Sequence, residues 1–224
     1  MCWKTGETGS IGRRCRSSDD SVADAGTSRQ AGQPRYSTLY LGGPRSEDVS
    51  VIASVLDAAG RAWIEEATGR LPEEVSAESD DDSAAHLSYH VADEYSSSVV
   101  EGILPELARS QAPIAVRPSG LTVFTKPKPV VCASIVRSPA LSKVHRAIWD
   151  AADGRSSGAV ERFAPEQWAP HITLAQGELD RSDLPAVVEA LSEVDFEQEF
   201  VVDNLTCTLG EGENEDVERF AFGR

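Results

Sequence analysis

The stretch Ala169–Ala175 places a histidine and a threonine two positions apart in an otherwise apolar run. Successive side chains of a β-strand point to opposite faces, so His171 and Thr173 would share one face and the intervening apolar residues the other. The apolar face predicts a strand that packs on a core. The polar face predicts an imidazole and a hydroxyl standing side by side on a rigid element.

A second stretch of this kind occurs earlier in the chain, at Ala85–Val91. The same alternation predicts that His86, Ser88 and His90 point to one face, while the residues between them pack into the core. A single His-x-Thr on a strand is common and indicates little. Two copies, each between alternating apolar residues, predict that the fold brings the two strands together.

The strongly negative net charge limits the classes of molecule that this chain can bind. A chain of 224 residues can bury a substantial core as one domain, and its formal net charge is −16. Such a surface repels polyanions, so we expect neither DNA nor a membrane as a partner. The acid-rich, lysine-poor composition also fits a protein that works in concentrated salt, because salt screens the self-repulsion. An ordinary acidic cytoplasmic protein is the alternative, and the sequence weighs the two equally.

Cysteine usage favours a reducing compartment. None of the four cysteines forms a Cys-x-x-Cys pair, and Cys132 and Cys207 lie in apolar, strand-like runs where a free thiol acts as a small hydrophobe. No run reaches the length of a transmembrane helix, and the N-terminus lacks the apolar core of a signal peptide. The sequence therefore predicts a soluble, cytoplasmic protein.

The order of predicted elements indicates an α+β fold. Residues 1–33 lack periodicity and predict a disordered N-terminal segment, followed by a folded domain over residues 34–224. We expect a first strand at Arg35–Leu41, a helix that begins at Ser46, and a tight hairpin turn at Pro118–Gly120. The complete order is β-α-β-α-β-β-β-α-β-α-β-β-β, with one histidine strand in each half. This order predicts two similar lobes that face each other across a cleft.

Two facing histidine strands suit in-line displacement at phosphorus. A neutral histidine would take a proton from the attacking water or hydroxyl, and a protonated one would give a proton to the departing oxygen. Ser88 and Thr173 would hold the non-bridging phosphate oxygens. This chemistry needs neither a metal nor another cofactor, and none is predicted. A metal hydrolase would require His86, His90 and His171 as ligands, and we favour it less.

Both motifs resemble those of the two-histidine (2H) phosphoesterase superfamily, in particular its 2′-5′ RNA ligase and RNA 2′,3′-cyclic phosphodiesterase branch. The resemblance covers about Arg35–Phe222 and rests on Pro170–Ala175, a close match, and on His86–Ser88, where threonine is commoner than serine. It implies a bilobal, pseudo-symmetric fold like that of LigT, in which two antiparallel sheets form a central cleft with helices outside. It also implies that His86 and His171 catalyse the metal-independent opening of 2′,3′-cyclic phosphates to 2′-phosphates. Some members of the family show RNA ligation, the reverse reaction.

Two features separate this chain from the family pattern. Gln176 stands where the family often carries a basic residue immediately after the second motif, and the whole chain is acidic. Both favour a small nucleotide, an RNA end held at one phosphate, or another cyclic phosphate over a long RNA. The alternative is a non-catalytic protein that binds a nucleotide or phosphorylated ligand in the same cleft. We expect the protein to act as a monomer.

Further substrate contacts can be named from their positions in the chain. Lys126, Lys128 and Arg162 are candidates for additional phosphate contacts, although ordinary surface charges would look the same. Trp168 could stack on a base near the cleft mouth, or it could belong to the core. His90 could contact the substrate or tune the neighbouring histidine, or it could be a spectator.

Overall fold

The computed structural model describes residues 49–72, 75, 85–125, 128–177, 179–209 and 216–223. The predicted disordered segment at residues 1–33, the predicted strand at Arg35–Leu41, and Lys126 lie outside these residues. The domain boundary near residue 34 therefore stays a prediction.

Eleven strands and four α-helices occur in the described part of the chain. From the first histidine strand onwards they follow the predicted order, with two additional two-residue strands, β3 and β7. The elements are β1 Ser50–Val55, α1 Ala58–Thr68, β2 His86–Ala92, β3 Glu94–Tyr95, α2 Leu104–Ser110, β4 Ile114–Val116, β5 Pro118–Phe124, β6 Val130–Ile135, α3 Pro139–Ala152, β7 Ser156–Ser157, β8 His171–Ala175, α4 Leu184–Ser192, β9 Phe200–Val202, β10 Asn204–Leu209 and β11 Asp216–Ala221, with a π-helical turn at Ser98–Ile103 and a 3-10 turn at Glu161–Phe163.

The prediction of a helix that begins at Ser46 is wrong, because residues 50–55 form strand β1. This strand lies inside a sheet, between β10 and β2, and most of its side chains are buried on both faces. A doubly buried strand carries an apolar run that also matches helical spacing. The helix begins later, where the Asp57 carboxylate caps it by accepting a hydrogen bond from the backbone N–H of Gly60 at 2.8 Å.

The first sheet has the strand order β11-β10-β1-β2 and is antiparallel throughout. The side chain of Asn204 connects β10 to β1 through two hydrogen bonds. It accepts one from the backbone N–H of Val55 at 3.1 Å and donates one to the carbonyl of Val55 at 2.8 Å. The first histidine strand, β2, forms one edge of this sheet.

The second sheet has the order β5-β6-β8, also antiparallel, and the second histidine strand, β8, forms its edge. The predicted hairpin turn at Pro118–Gly120 is wrong. These residues begin β5 and contain a bulge against β6, which Gly120 accommodates with a φ of 130°. Strand β4 pairs with β9 instead of β5.

Helices cover both histidine strands, since α3 packs against β2 and α1 packs against β8. Helix α3 starts as its sequence predicts, with a Ser138 cap that accepts from the backbone N–H of Leu141 and with Pro139 in the first turn. The architecture is thus α+β, with two antiparallel sheets whose histidine-bearing edge strands are neighbours. Among the described residues, no helix combines the length and the apolarity needed to cross a membrane.

Candidate active site

The two histidine motifs lie next to each other. His86 is the first residue of β2 and His171 the first residue of β8, and the two strands are in contact. Both imidazoles are half-buried. They are close enough for the charge of His86 to lower the pKa of His171. The fold therefore places two partly accessible imidazoles at one junction of the two sheets.

The ring of His171 is fixed by a hydrogen bond to its own chain. Its Nδ1 lies 2.8 Å from the carbonyl oxygen of Ala169, and because a carbonyl only accepts, Nδ1 carries the proton. The second nitrogen, Nε2, then bears the lone pair of the neutral imidazole. Burial is the main cause that lowers the pKa of His171, and the charges of Arg162 and His86 lower it further. His171 is therefore neutral at pH 7 and suited to accept a proton.

Phe124 covers one side of the His171 imidazole. The two ring centroids lie 4.8 Å apart at an interplanar angle of 61°, and Phe124 is half-buried at the end of β5. An apolar ring beside an imidazole lowers the local polarity and favours the neutral form. Sequence analysis did not single out this residue. The sequence places Phe124 on a predicted strand, but it does not show that this side chain contacts His171 on another strand.

The two motif hydroxyls are not equivalent. Thr173 is half-buried, and its Oγ1 lies 3.9 Å from the Sγ of Cys132, which is directly opposite on β6. Burial raises the pKa of the Cys132 thiol to about 12, so the sulfur keeps its proton. Ser88 is only 7% exposed. The role of both hydroxyls as phosphate contacts stays a prediction, with Thr173 the more accessible of the two.

The prediction that His90 shares a face with His86 is wrong, because β2 contains a bulge. Ala53 pairs with Ser88 while the adjacent Ile52 pairs with His90, so Tyr89 is an extra residue and the alternation of faces shifts. His90 is 2% exposed and its Nδ1 lies 2.7 Å from the hydroxyl of Tyr95. It is a buried residue that cannot contact a substrate in this structure.

This bulge also separates the three histidines that a metal site would have required. In the part of the chain that the structure describes, no three His, Cys, Asp or Glu side chains form a group that could hold a metal ion.

Trp168 belongs to the core. Its side chain is 2% exposed, and its ring stacks on that of His145 with centroids 3.9 Å apart and an interplanar angle of 4°. Its indole Nε1–H donates to the backbone carbonyl of Ser88 at 3.0 Å. Of the two alternatives given by the sequence, the structure supports the core position.

Of the two predicted phosphate-binding cations that the structure describes, Arg162 has a charge that reaches the site. It is half-buried in the turn that precedes β8, and its charge lowers the pKa of both His171 and Cys132. Lys128 is exposed, and its Nζ donates to the carbonyl of Gly177 at 3.3 Å. Lys126 lies outside the described residues.

Comparison with known families agrees with this geometry. A family model described as the 2′-5′ RNA ligase superfamily matches residues 56–214, which include both histidine motifs. The chain belongs to this superfamily. The match confirms the resemblance to the 2H phosphoesterases that the motifs indicated. A search of curated protein sequences finds no match.

Solved structures with the same fold are distant in sequence. TT0787 of Thermus thermophilus is 19% identical, with a TM-score of 0.53, over 79% of this chain and 99% of that chain. LigT of E. coli complexed with 3′-AMP is 17% identical, with a TM-score of 0.55, over 78% and 98%. A third structure, called a phosphoesterase, is 18% identical, with a TM-score of 0.57, over 79% and 99%. These likenesses confirm the LigT-like α+β fold.

Proposed function

We propose that this protein is a phosphodiesterase that opens 2′,3′-cyclic phosphates to 2′-phosphates by two-histidine acid–base catalysis. The observation that carries the proposal is the neighbouring position of His86 and His171, each half-buried on an edge strand. Membership of the 2′-5′ RNA ligase superfamily supports a phosphoesterase or ligase reaction at this place. Ligation would use the 5′-hydroxyl of a second RNA in place of water, with the same bond between phosphorus and the 3′ oxygen broken.

The lowered pKa of His171 supports a role for this residue as the proton acceptor. His171 is neutral at pH 7, so its Nε2 takes a proton from water as the water oxygen attacks phosphorus. The bond between phosphorus and the 3′ oxygen breaks, and His86 in its protonated form gives that oxygen a proton. The products are a 2′-phosphomonoester and a free 3′-hydroxyl. Thr173 and Ser88 donate hydrogen bonds to the non-bridging oxygens as their charge increases.

The charge distribution favours a small substrate. The formal net charge of −16 opposes the approach of a long polyanion, whereas one cyclic phosphate needs only local compensation. Arg162 provides a positive charge near His171 and Cys132. A nucleoside 2′,3′-cyclic phosphate, or a single RNA end with this group, meets both conditions.

The proposal is tested by hydrolysis of a 2′,3′-cyclic nucleotide in the presence of chelator, at low and at molar salt. We expect the 2′-monophosphate as product, and losses of about 10²–10⁴-fold in kcat for His86→Ala and for His171→Ala. His90→Gln is the matched control, because His90 belongs to the same strand as His86 but lies buried away from it. No product from folded wild-type protein, or wild-type rates in either motif variant, would refute the proposal.

A second candidate function is ligand binding without turnover. The near-complete burial of Ser88 favours it, because a buried hydroxyl reaches a phosphate less readily. In that case nucleoside 2′-phosphates or cyclic phosphates should raise the melting temperature of the protein while no product forms. Turnover that depends on both histidines would exclude this alternative.

A further inference from the structure

One hydrogen bond joins the segment just before the second motif to the first motif. Trp168 lies three residues before His171, and its indole N–H donates at 3.0 Å to the carbonyl of Ser88, which lies two residues after His86. The bond is buried and connects positions that are 80 residues apart in sequence. It runs from the segment that enters β8 to the edge strand of the other sheet.

The edge position of β2 explains why this carbonyl is available. Among the described strands, β2 pairs in its sheet with β1 alone, so within that part of the chain the backbone groups on its outer side have no partner strand. A buried carbonyl needs a donor, and the indole of Trp168 supplies it for Ser88. The two histidine edges are thus connected by a side chain, without a continuous sheet between them.

The indole is itself held in place by its surroundings. One face stacks on His145, and the guanidinium carbon of Arg137 lies 5.6 Å from the ring centroid. Arg137 also donates to the carbonyl of Trp168 at 3.1 Å and to that of Pro165. The Tyr89 ring lies 5.8 Å away on the bulge of β2. Because the indole is held from several directions, its hydrogen bond also restrains the position of the Ser88 carbonyl.

We propose that Trp168 is a positioning residue, whose indole N–H fixes the strand of His86 relative to the strand of His171. This inference rests on the proposed two-histidine reaction, in which both imidazoles must reach one phosphorus atom from opposite sides. A displacement of about 1 Å between reacting groups can lower a rate by about 10²-fold. Loss of this hydrogen bond should therefore lower the catalytic rate as well as the stability of the fold.

The chain offers a matched control for this test. Trp63 is also buried, and its indole N–H donates at 2.8 Å to the carbonyl of Asp195, which does not belong to a motif strand. Trp168→Phe and Trp63→Phe each remove one indole hydrogen bond and shrink one ring, although the bond of Trp63 is only partly buried. We expect similar losses of thermal stability. Only Trp168→Phe should lower kcat, by about 10-fold or more, with KM changed less than about twofold.

A second readout does not depend on turnover. The chain has four histidines, so each can be followed by NMR as the pH changes. His86→Gln should raise the pKa of His171, because the charge of His86 lowers it. The same substitution in a Trp168→Phe background should raise this pKa by less, because the two strands are no longer held together. In a Trp63→Phe background the increase should match that in the wild type.

The two proposals fail in different ways. If the wild type does not hydrolyse cyclic phosphates, the proposed function falls, and the NMR comparison alone decides the role of Trp168. If Trp168→Phe and Trp63→Phe have the same kcat and the same increase in the pKa of His171, Trp168 is a core residue only and the positioning role is refuted.

Discussion

The protein should lose stability between about pH 6.5 and pH 4, because two of its histidines are buried in the neutral form. His90 and His145 are 2% and 0% exposed, and burial lowers the pKa of each from 6.5 to about 4. The Nε2 of His145 lies 2.9 Å from the carbonyl oxygen of Phe163, and its ring stacks on Trp168. The positive charge of one protonated imidazole also opposes protonation of the other.

The sign and size of the effect follow from these values. Between pH 6.5 and pH 4 the unfolded chain binds more protons than the folded chain, so stability falls as the pH falls. One pKa unit corresponds to about 1.4 kcal/mol, which gives an upper value of about 3 kcal/mol per histidine at pH 4. Domains of ordinary stability have a free energy of unfolding of about 5–15 kcal/mol. The loss caused by two such histidines would therefore be a large part of that free energy.

The assay is urea unfolding of the wild type and of His145→Phe at intervals from pH 7.5 to pH 4.5. Phenylalanine keeps an aromatic ring against Trp168 but cannot take up a proton. The variant should be less stable at pH 7.5 by about 1 kcal/mol, because the hydrogen bond to the carbonyl of Phe163 is lost. Its stability should fall less steeply with acid, so that the two curves cross at about pH 6 and the variant is the more stable protein at pH 5. Parallel curves from pH 6.5 to pH 4.5 would refute the reasoning, since the acidic residues are the same in both proteins.

Three other substitutions test the site and the packing. Thr173→Val should lower kcat on a cyclic nucleotide by about 10²-fold at nearly unchanged melting temperature, because only a hydroxyl is removed; a wild-type rate would contradict the phosphate contact. Gly60→Ala should destabilise by about 1–3 kcal/mol in thermal melts, since its Cβ would lie 2.8 Å from that of Leu56. An unchanged melting temperature would show that the helix shifts freely. Asn204→Ala should cost roughly 2–4 kcal/mol and expose the amide of Val55 to hydrogen exchange, because it removes both hydrogen bonds to that residue. Retained protection of this amide would contradict that role.

The sequence predicted those elements whose local signals agree with their tertiary surroundings. Strand β8 was predictable because one of its faces is apolar and the other carries His171 and Thr173. Helix α3 was predictable because Ser138 and Pro139 form a start signal before a helical apolar stripe. The family could be recognised because both motifs stand in the expected order.

The features that the sequence did not predict depend on contacts between distant residues, which no local pattern encodes. The bulge at Tyr89 moves His90 to the opposite face, and nothing in an alternating sequence marks one extra residue. Strand β1 resembles a helix in sequence because it is buried on both faces. The bond from Trp168 to Ser88 joins residues 80 positions apart, so a tryptophan beside a motif was equally consistent with stacking on a base.

The strand order of the first sheet has a consequence for how the protein folds. Strand β1 lies between β2 and β10, and the Asn204 side chain that bonds β10 to Val55 is 149 residues away in sequence. As far as the structure describes it, the second sheet consists of residues 118–175 and can form from nearby segments. During synthesis the sheet of His171 can therefore assemble well before that of His86, which must wait for β10 to leave the ribosome. Long-range closure of this kind slows folding, so we expect His86 to reach its place beside the strand of His171 late in folding.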